Sequence, residues 1–159
     1  MKLIVGVADM KVSNNPADSI VTYSLGSCIG LVVFDFAQRV GGVLHYMLPE
    51  SDLDRDKALV KPFMFADTGI PRFLEQAVAL GASRSRMKVM AFGGSQILDQ
   101  KGFFNIGRQN YMALKSILSD NNMLITHQEV GGTVNRTIRL DIGSGDVFVK
   151  TSGTLEKKL

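Results

Sequence analysis

The sequence predicts an α/β or α+β domain: a single layered unit with mixed, largely antiparallel sheet and two main helices. Three observations carry that expectation. Short runs rich in Val, Ile, Thr and Phe recur along the chain, glycine and Asn/Asp clusters punctuate them, and two segments follow a helical period. The chain has 159 residues, 45% of them hydrophobic, enough for one core without disulfides or metal.

Residues 2–8 (KLIVGVA) read as the first strand, and Asn14-Asn15-Pro16 breaks the chain after it. Residues 19–24, 29–35 and 41–48 follow as three strands, so 19–48 reads as a meander. Phe73, Leu74, Ala77, Val78 and Leu80 recur at helical spacing, with Gly81 as the C-terminal cap and a kink or new first turn at Pro71. Residues 87–92 form a strand ending at Gly93-Gly94, and 94–107 is a polar, glycine-containing loop. Tyr111, Leu114, Ile117 and Leu118 mark the second helix, ended by Asp120-Asn121-Asn122. Strands at 123–130, 135–142 and 146–151 close the domain at residue 151, and 152–159 reads as a flexible tail.

Composition excludes several classes of function. Lys and Arg exceed Asp and Glu by 18 to 15, a net charge of +3. The densest basic run, 83–88 (SRSRMK), has no interleaved aromatic residues, which argues against nucleic-acid binding. No window approaches the roughly 18 apolar residues of a membrane span, and the N-terminal apolar run is too short for a signal peptide. The expectation is a soluble, cytoplasmic protein with no direct membrane insertion. A single cysteine fits a reducing compartment and rules out a cysteine-rich zinc site within one chain. Asp52, Asp54 and Asp56 lack the glycine and distal glutamate of a calcium loop and read as a solvated turn. The FGGSQ segment (92–96) follows a strand but lacks the spacing and lysine of a nucleotide-binding turn. His127 lies between Thr126 and Gln128 and reads as a sheet residue.

The single cysteine, Cys28, stands in LGSCIG between two predicted strands. Cysteine there serves either as a small buried hydrophobe or as a nucleophile on a turn. His45 follows 17 residues later, on a strand face with Val43 and Met47. It is either a satisfied core histidine or a base held against the thiol. Thr22, on the strand entering the turn, either suits a strand or orients the imidazole through its hydroxyl. Gly26 permits a tight turn at Gly26-Ser27-Cys28 that can aim the backbone N–H groups of Cys28 and a neighbour at a developing oxyanion, which makes Gly26 and Ser27 candidate oxyanion- and substrate-binding residues. The residues alone leave both sets of readings open.

TYSLGSCIG, followed by GGVLHYMLP, closely resembles the CheD family of chemoreceptor glutamine deamidases of bacterial and archaeal chemotaxis. The resemblance continues through FADTGIPRFLEQAVALGA, AFGGSQI, FNIGRQN and GGTVNRTIRLDIGSGDVFVK. It implies a Cys–His–Thr triad at Cys28, His45 and Thr22, and a fold similar to the deamidating cytotoxic necrotizing factor toxins. It implies conversion of receptor glutamines to glutamate through a thioester, with no metal or organic cofactor. Two positions depart from the family pattern: Gln109 where arginine usually precedes the asparagine, and Asn135 where glycine usually precedes Arg136. The first bears on a charged contact, the second on a turn.

The implied partners are the cytoplasmic helices of chemoreceptors as substrate and a CheC-type phosphatase, with the chain a monomer or a heterodimer with CheC. Two alternatives to the deamidase accompany that reading. One is a regulatory module that binds and stimulates CheC; the other is a receptor methylesterase using the same thiol.

Overall fold

The structure is a computed structural model that describes residues 1–96 and 105–159. Among the described residues, ten strands form two five-stranded sheets. The first has the order β1 (Lys2–Val5), β3 (Ser19–Leu25), β8 (Arg136–Asp141), β9 (Val147–Thr151), β10 (Lys157–Lys158). The second has the order β2 (Asp9–Ser13), β5 (Val40–Tyr46), β4 (Ile29–Asp35), β6 (Lys88–Gly93), β7 (His127–Val130). Pairing is antiparallel except at β1/β3 and β6/β7. The α+β class expected from the sequence is the one observed, with helices α2 (Ala66–Ala79) and α3 (Ile106–Asp120) as the two main ones.

The second sheet is the middle layer. Alternate residues of β4 face opposite ways: Ile29, Leu31 and Val33 pack with Ile70, Phe73 and Leu74 of α2 and Leu114 and Leu118 of α3. Val32 and Phe34 pack with Ile20, Leu25, Ile138 and Leu140 of the first sheet. Both faces of β4 and β5 are therefore covered, and every residue of the two strands is buried. That explains why the chain runs continuously apolar there instead of alternating.

The expected meander over 19–48 is not one sheet. β3 belongs to the first sheet and β4–β5 to the second, so the chain changes sheets at residues 26–28. It also changes sheets between β1 and β2, where Ala8 takes φ 60° and donates its N–H to the His45 carbonyl. Strand β2 has no counterpart in the sequence reading. It is a sheet edge of half-buried residues, and its alternating Asp9 and Lys11 mask the apolar signal.

Helix α2 begins at Ala66 and contains Pro71 in its second turn, so of the two expected places for the proline, inside the helix or at its start, the structure has the first. Its end is as expected: Gly81 takes φ 113°, and Ala82 N–H and Gly81 N–H bond Ala77 and Val78 carbonyls in a Schellman arrangement. Helix α3 starts at Ile106, so the expected 94–107 loop is shorter at its end; residues 97–104 of that loop lie outside the described residues. The strand expected over 123–130 begins only at His127. Within 152–159, Lys157 and Lys158 pair with Val149 and Phe148. Asp54, one of the three alternating aspartates, caps short helix α1 (Arg55–Val60) by accepting the Lys57 N–H. No helix of the described residues is long and apolar enough to cross a membrane.

Candidate active site

The sheet change at residues 26–28 brings together groups from both sheets. Thr22 lies on the inner face of β3 and is fully buried. Register places His45 opposite Gly30 on β4, and His45 shares the face of Gly41 and Val43 that looks toward the first sheet. The Thr22 hydroxyl and His45 Nδ1 meet across the gap at 2.7 Å. Cys28, two residues before Gly30, packs on that same inter-sheet core, one diagonal step from His45.

The hydrogen bonds assign the histidine tautomer. Thr22 donates its only hydroxyl proton to the Val5 carbonyl at 2.8 Å. Its oxygen therefore accepts from His45 Nδ1–H, which leaves Nε2 as the basic nitrogen. Nε2 is buried and has no hydrogen-bond partner among the described residues. Between Thr22 and Leu25 the β3/β8 register shifts, and Ser24 takes φ 55°. This bulge bends the chain out of the first sheet immediately before the cysteine.

Burial sets the charge state. It pushes the Cys28 thiol up to about 11, opposed by the residue's own N–H, and pushes His45 down to about 4, opposed by the charge of Asp9. The resting pair is a neutral thiol and a neutral imidazole. Desolvation is the largest cause of the thiol's shift, and the lowering by histidine expected from the sequence is not among its causes.

The three residues of the sheet change are held through their carbonyls. Gly26 O accepts from Ser95 N–H, Ser27 O from Asn110 Nδ2 and Cys28 O from Gly94 N–H, each at 2.9 Å. The N–H groups of Ser27 and Cys28 donate to no other residue among the described residues. Behind Ser95, the buried Arg136 guanidinium donates to Ser95 Oγ and Gly93 O, each at 3.1 Å, and to Gly131 O at 2.9 Å. Gly93 at φ 105° is required: a Cβ there would overlap the Cys28 carbonyl.

The matching family model is CheD, described as chemotactic sensory transduction, and it matches residues 47–151. The chain belongs to the CheD family. Relatives extend the likeness over the N-terminal strands. A Syntrophus aciditrophicus protein named "Probable chemoreceptor glutamine deamidase CheD 1" is 50% identical, covering 95% of this chain and 94% of its own. CheD proteins of Solibacter usitatus and Anaeromyxobacter dehalogenans, the latter named CheD 2, are 46% and 43% identical over 96% and 92% of this chain and 90% and 92% of theirs. Among solved structures, a Neisseria meningitidis protein has a TM-score of 0.45 at 11% identity, over 82% of this chain and 62% of its own.

In this CheD chain, Cys28, His45, Thr22, Gly26 and Ser27 all lie where the two sheets exchange the chain. His127 stands apart on β7, 3.3 Å from Glu129. No group of three or more metal-ligating side chains occurs among the described residues. Asn135 does not take positive φ, so asparagine fits a turn where the family pattern has glycine; it exchanges hydrogen bonds with Ser152. Gln109 lies exposed in the first turn of α3.

Sequence reasoning missed Gly94-Ser95, Arg136 and Asn110 as supports of the thiol loop. For Asn110 a signal existed. It lies on the buried stripe of α3 with Gly107, Leu114 and Leu118, and a polar amide on an apolar stripe calls for partners.

Proposed function

We propose that this chain is a chemoreceptor glutamine deamidase whose nucleophile is Cys28. The observation that supports the reading is the double engagement of Thr22, which leaves Nε2 as the basic nitrogen of His45, with Cys28 packed on the same inter-sheet core. In the proposed sequence Nε2 takes the thiol proton as Sγ attacks the carboxamide carbon of a receptor glutamine. The Ser27 and Cys28 N–H groups stabilise the resulting oxyanion. Collapse breaks the C–N bond, and the imidazolium returns its proton to the departing ammonia. Water, deprotonated by Nε2, then attacks the thioester; glutamate leaves and the thiol is regenerated. Each step balances without a metal or organic cofactor.

A neutral orienting residue suits a pair that begins uncharged. Threonine holds the ring but does not fix a positive charge on it in advance, so charge develops only during attack. The names of the relatives and the family membership support the substrate class, the cytoplasmic helices of chemoreceptors. Association with a CheC-type phosphatase and a cytoplasmic location belong to the same proposal.

The test is peptide mapping of a cognate receptor cytoplasmic fragment after incubation with wild type, Cys28→Ala and His45→Ala. Conversion of specific glutamines to glutamate by the wild type alone is expected. Conversion by the Cys28→Ala protein would remove the thiol from the mechanism, and hydrolysis of methylglutamates with glutamines untouched would make the chain a methylesterase.

A further inference from the structure

We propose that Asn110 is a positioning residue that aims the Cys28 N–H at the oxyanion. The inference deepens the deamidase reading and rests on it for its biological meaning, but its chemistry is testable without a receptor.

Asn110 is fully buried on the core-facing stripe of α3, where an aliphatic side chain would be the ordinary choice. Its amide spends both N–H donors on the backbone beside the site: Ser27 O at 2.9 Å and Met47 O at 2.8 Å. Its own carbonyl accepts the Tyr46 hydroxyl at 2.6 Å. One residue thus holds the position before the cysteine and the two positions after the histidine. The amide oxygen Oδ1 is buried without a partner among the described residues, so the group is not satisfied for its own sake. Burying such an amide is unfavourable, and what it supplies is donors to two carbonyls.

The consequence follows from peptide geometry. Ser27 C=O and Cys28 N–H belong to one planar peptide unit, and no peptide bond among the described residues is cis. Fixing the carbonyl toward α3 therefore points the Cys28 N–H the opposite way, away from the helix layer. Gly26 O, held by Ser95 N–H, does the same for the Ser27 N–H. The Ser27 donor is aimed by backbone; the Cys28 donor is aimed by a side chain that mutation can remove.

Two reactions of Cys28 separate this role from mere support. Acylation by p-nitrophenyl acetate passes through a tetrahedral oxyanion; alkylation by iodoacetamide does not. Asn110→Ala is expected to slow acylation at least about tenfold while alkylation stays within about threefold of wild type. With the receptor fragment, kcat is expected to fall about a hundredfold with little change in KM. Asn110→Asp keeps the volume but offers a carboxylate to two carbonyls, so it is expected to behave like the alanine variant, and it carries the test if Asn110→Ala does not fold. Unchanged acylation in either folded variant, or acylation and alkylation falling together, would overturn the proposal. If the wild type is acylated but converts no receptor glutamine, the deamidase reading fails while the role of Asn110 is still decided.

Discussion

The Thr22 hydroxyl and His45 Nδ1 lie 2.7 Å apart on two different sheets, and this bond bridges the layers of the domain at the candidate site. Because Thr22 also donates to Val5 O, its oxygen is an acceptor for the ring and for nothing else that would reverse the tautomer. Thr22→Val keeps the shape and removes that acceptor. The buried Nδ1–H is then unpaired, at a cost of about 1–3 kcal/mol of stability. Deamidation by Thr22→Val is expected to fall at least tenfold in kcat, since the ring is no longer held in the Nε2-basic form. Thermal denaturation beside steady-state kinetics checks both; a variant with wild-type kcat would show that the ring needs no orienting partner.

His45 makes stability sensitive to acid. The unfolded chain takes up a proton at this histidine near pH 6.5, while the folded chain resists until about pH 4. Above pH 6.5 both states are neutral and there is no penalty. From pH 6.5 down to about 4 the folded state loses stability progressively, to a total of about 3 kcal/mol, and the loss is constant below that. Urea denaturation across that window for wild type and His45→Gln checks this, the wild type showing the steeper decline with acid.

The resting thiol is expected to be poorly reactive for a nucleophile. Raising its pKa from 9.0 to about 11 lowers the thiolate fraction at neutral pH about a hundredfold. Iodoacetamide is therefore expected to modify Cys28 about a hundred times more slowly at pH 7 than a free cysteine, with the rate still rising above pH 9. A rate that levels off near pH 7 would mean that the pair already exists as thiolate and imidazolium.

Gly93→Ala tests the loop that backs the cysteine. The new Cβ would overlap the Cys28 carbonyl, and the residue already sits at φ 105°. The expected result is a loss of more than about 2 kcal/mol of stability, from strain at positive φ and a displaced loop, with activity lost as well. Calorimetry and ammonia release measure the two effects. A variant as stable as wild type would show that the loop yields more easily than its contacts suggest.

Local chemistry was legible in the linear chain. The β-branched runs marked most strands, and Phe73, Leu74 and Ala77 marked the α2 face that packs on the middle sheet. Gly81 marked that helix's end, and LGSC followed by the histidine marked the candidate thiol and its candidate base. These signals depend on side-chain period and on the backbone freedom of single residues, which neighbours in sequence express directly. The tertiary structure alone decided that 19–48 splits between two sheets, because register across strands depends on which faces bury against which partners. That split turns Thr22, on one sheet, into the partner of His45 on the other. It also brings Asn110, 82 positions after Cys28, against the carbonyl that precedes the thiol. Residues so far apart in sequence meet only when burial of apolar surface stacks the layers, and no local pattern records which polar groups that stacking will bring into contact.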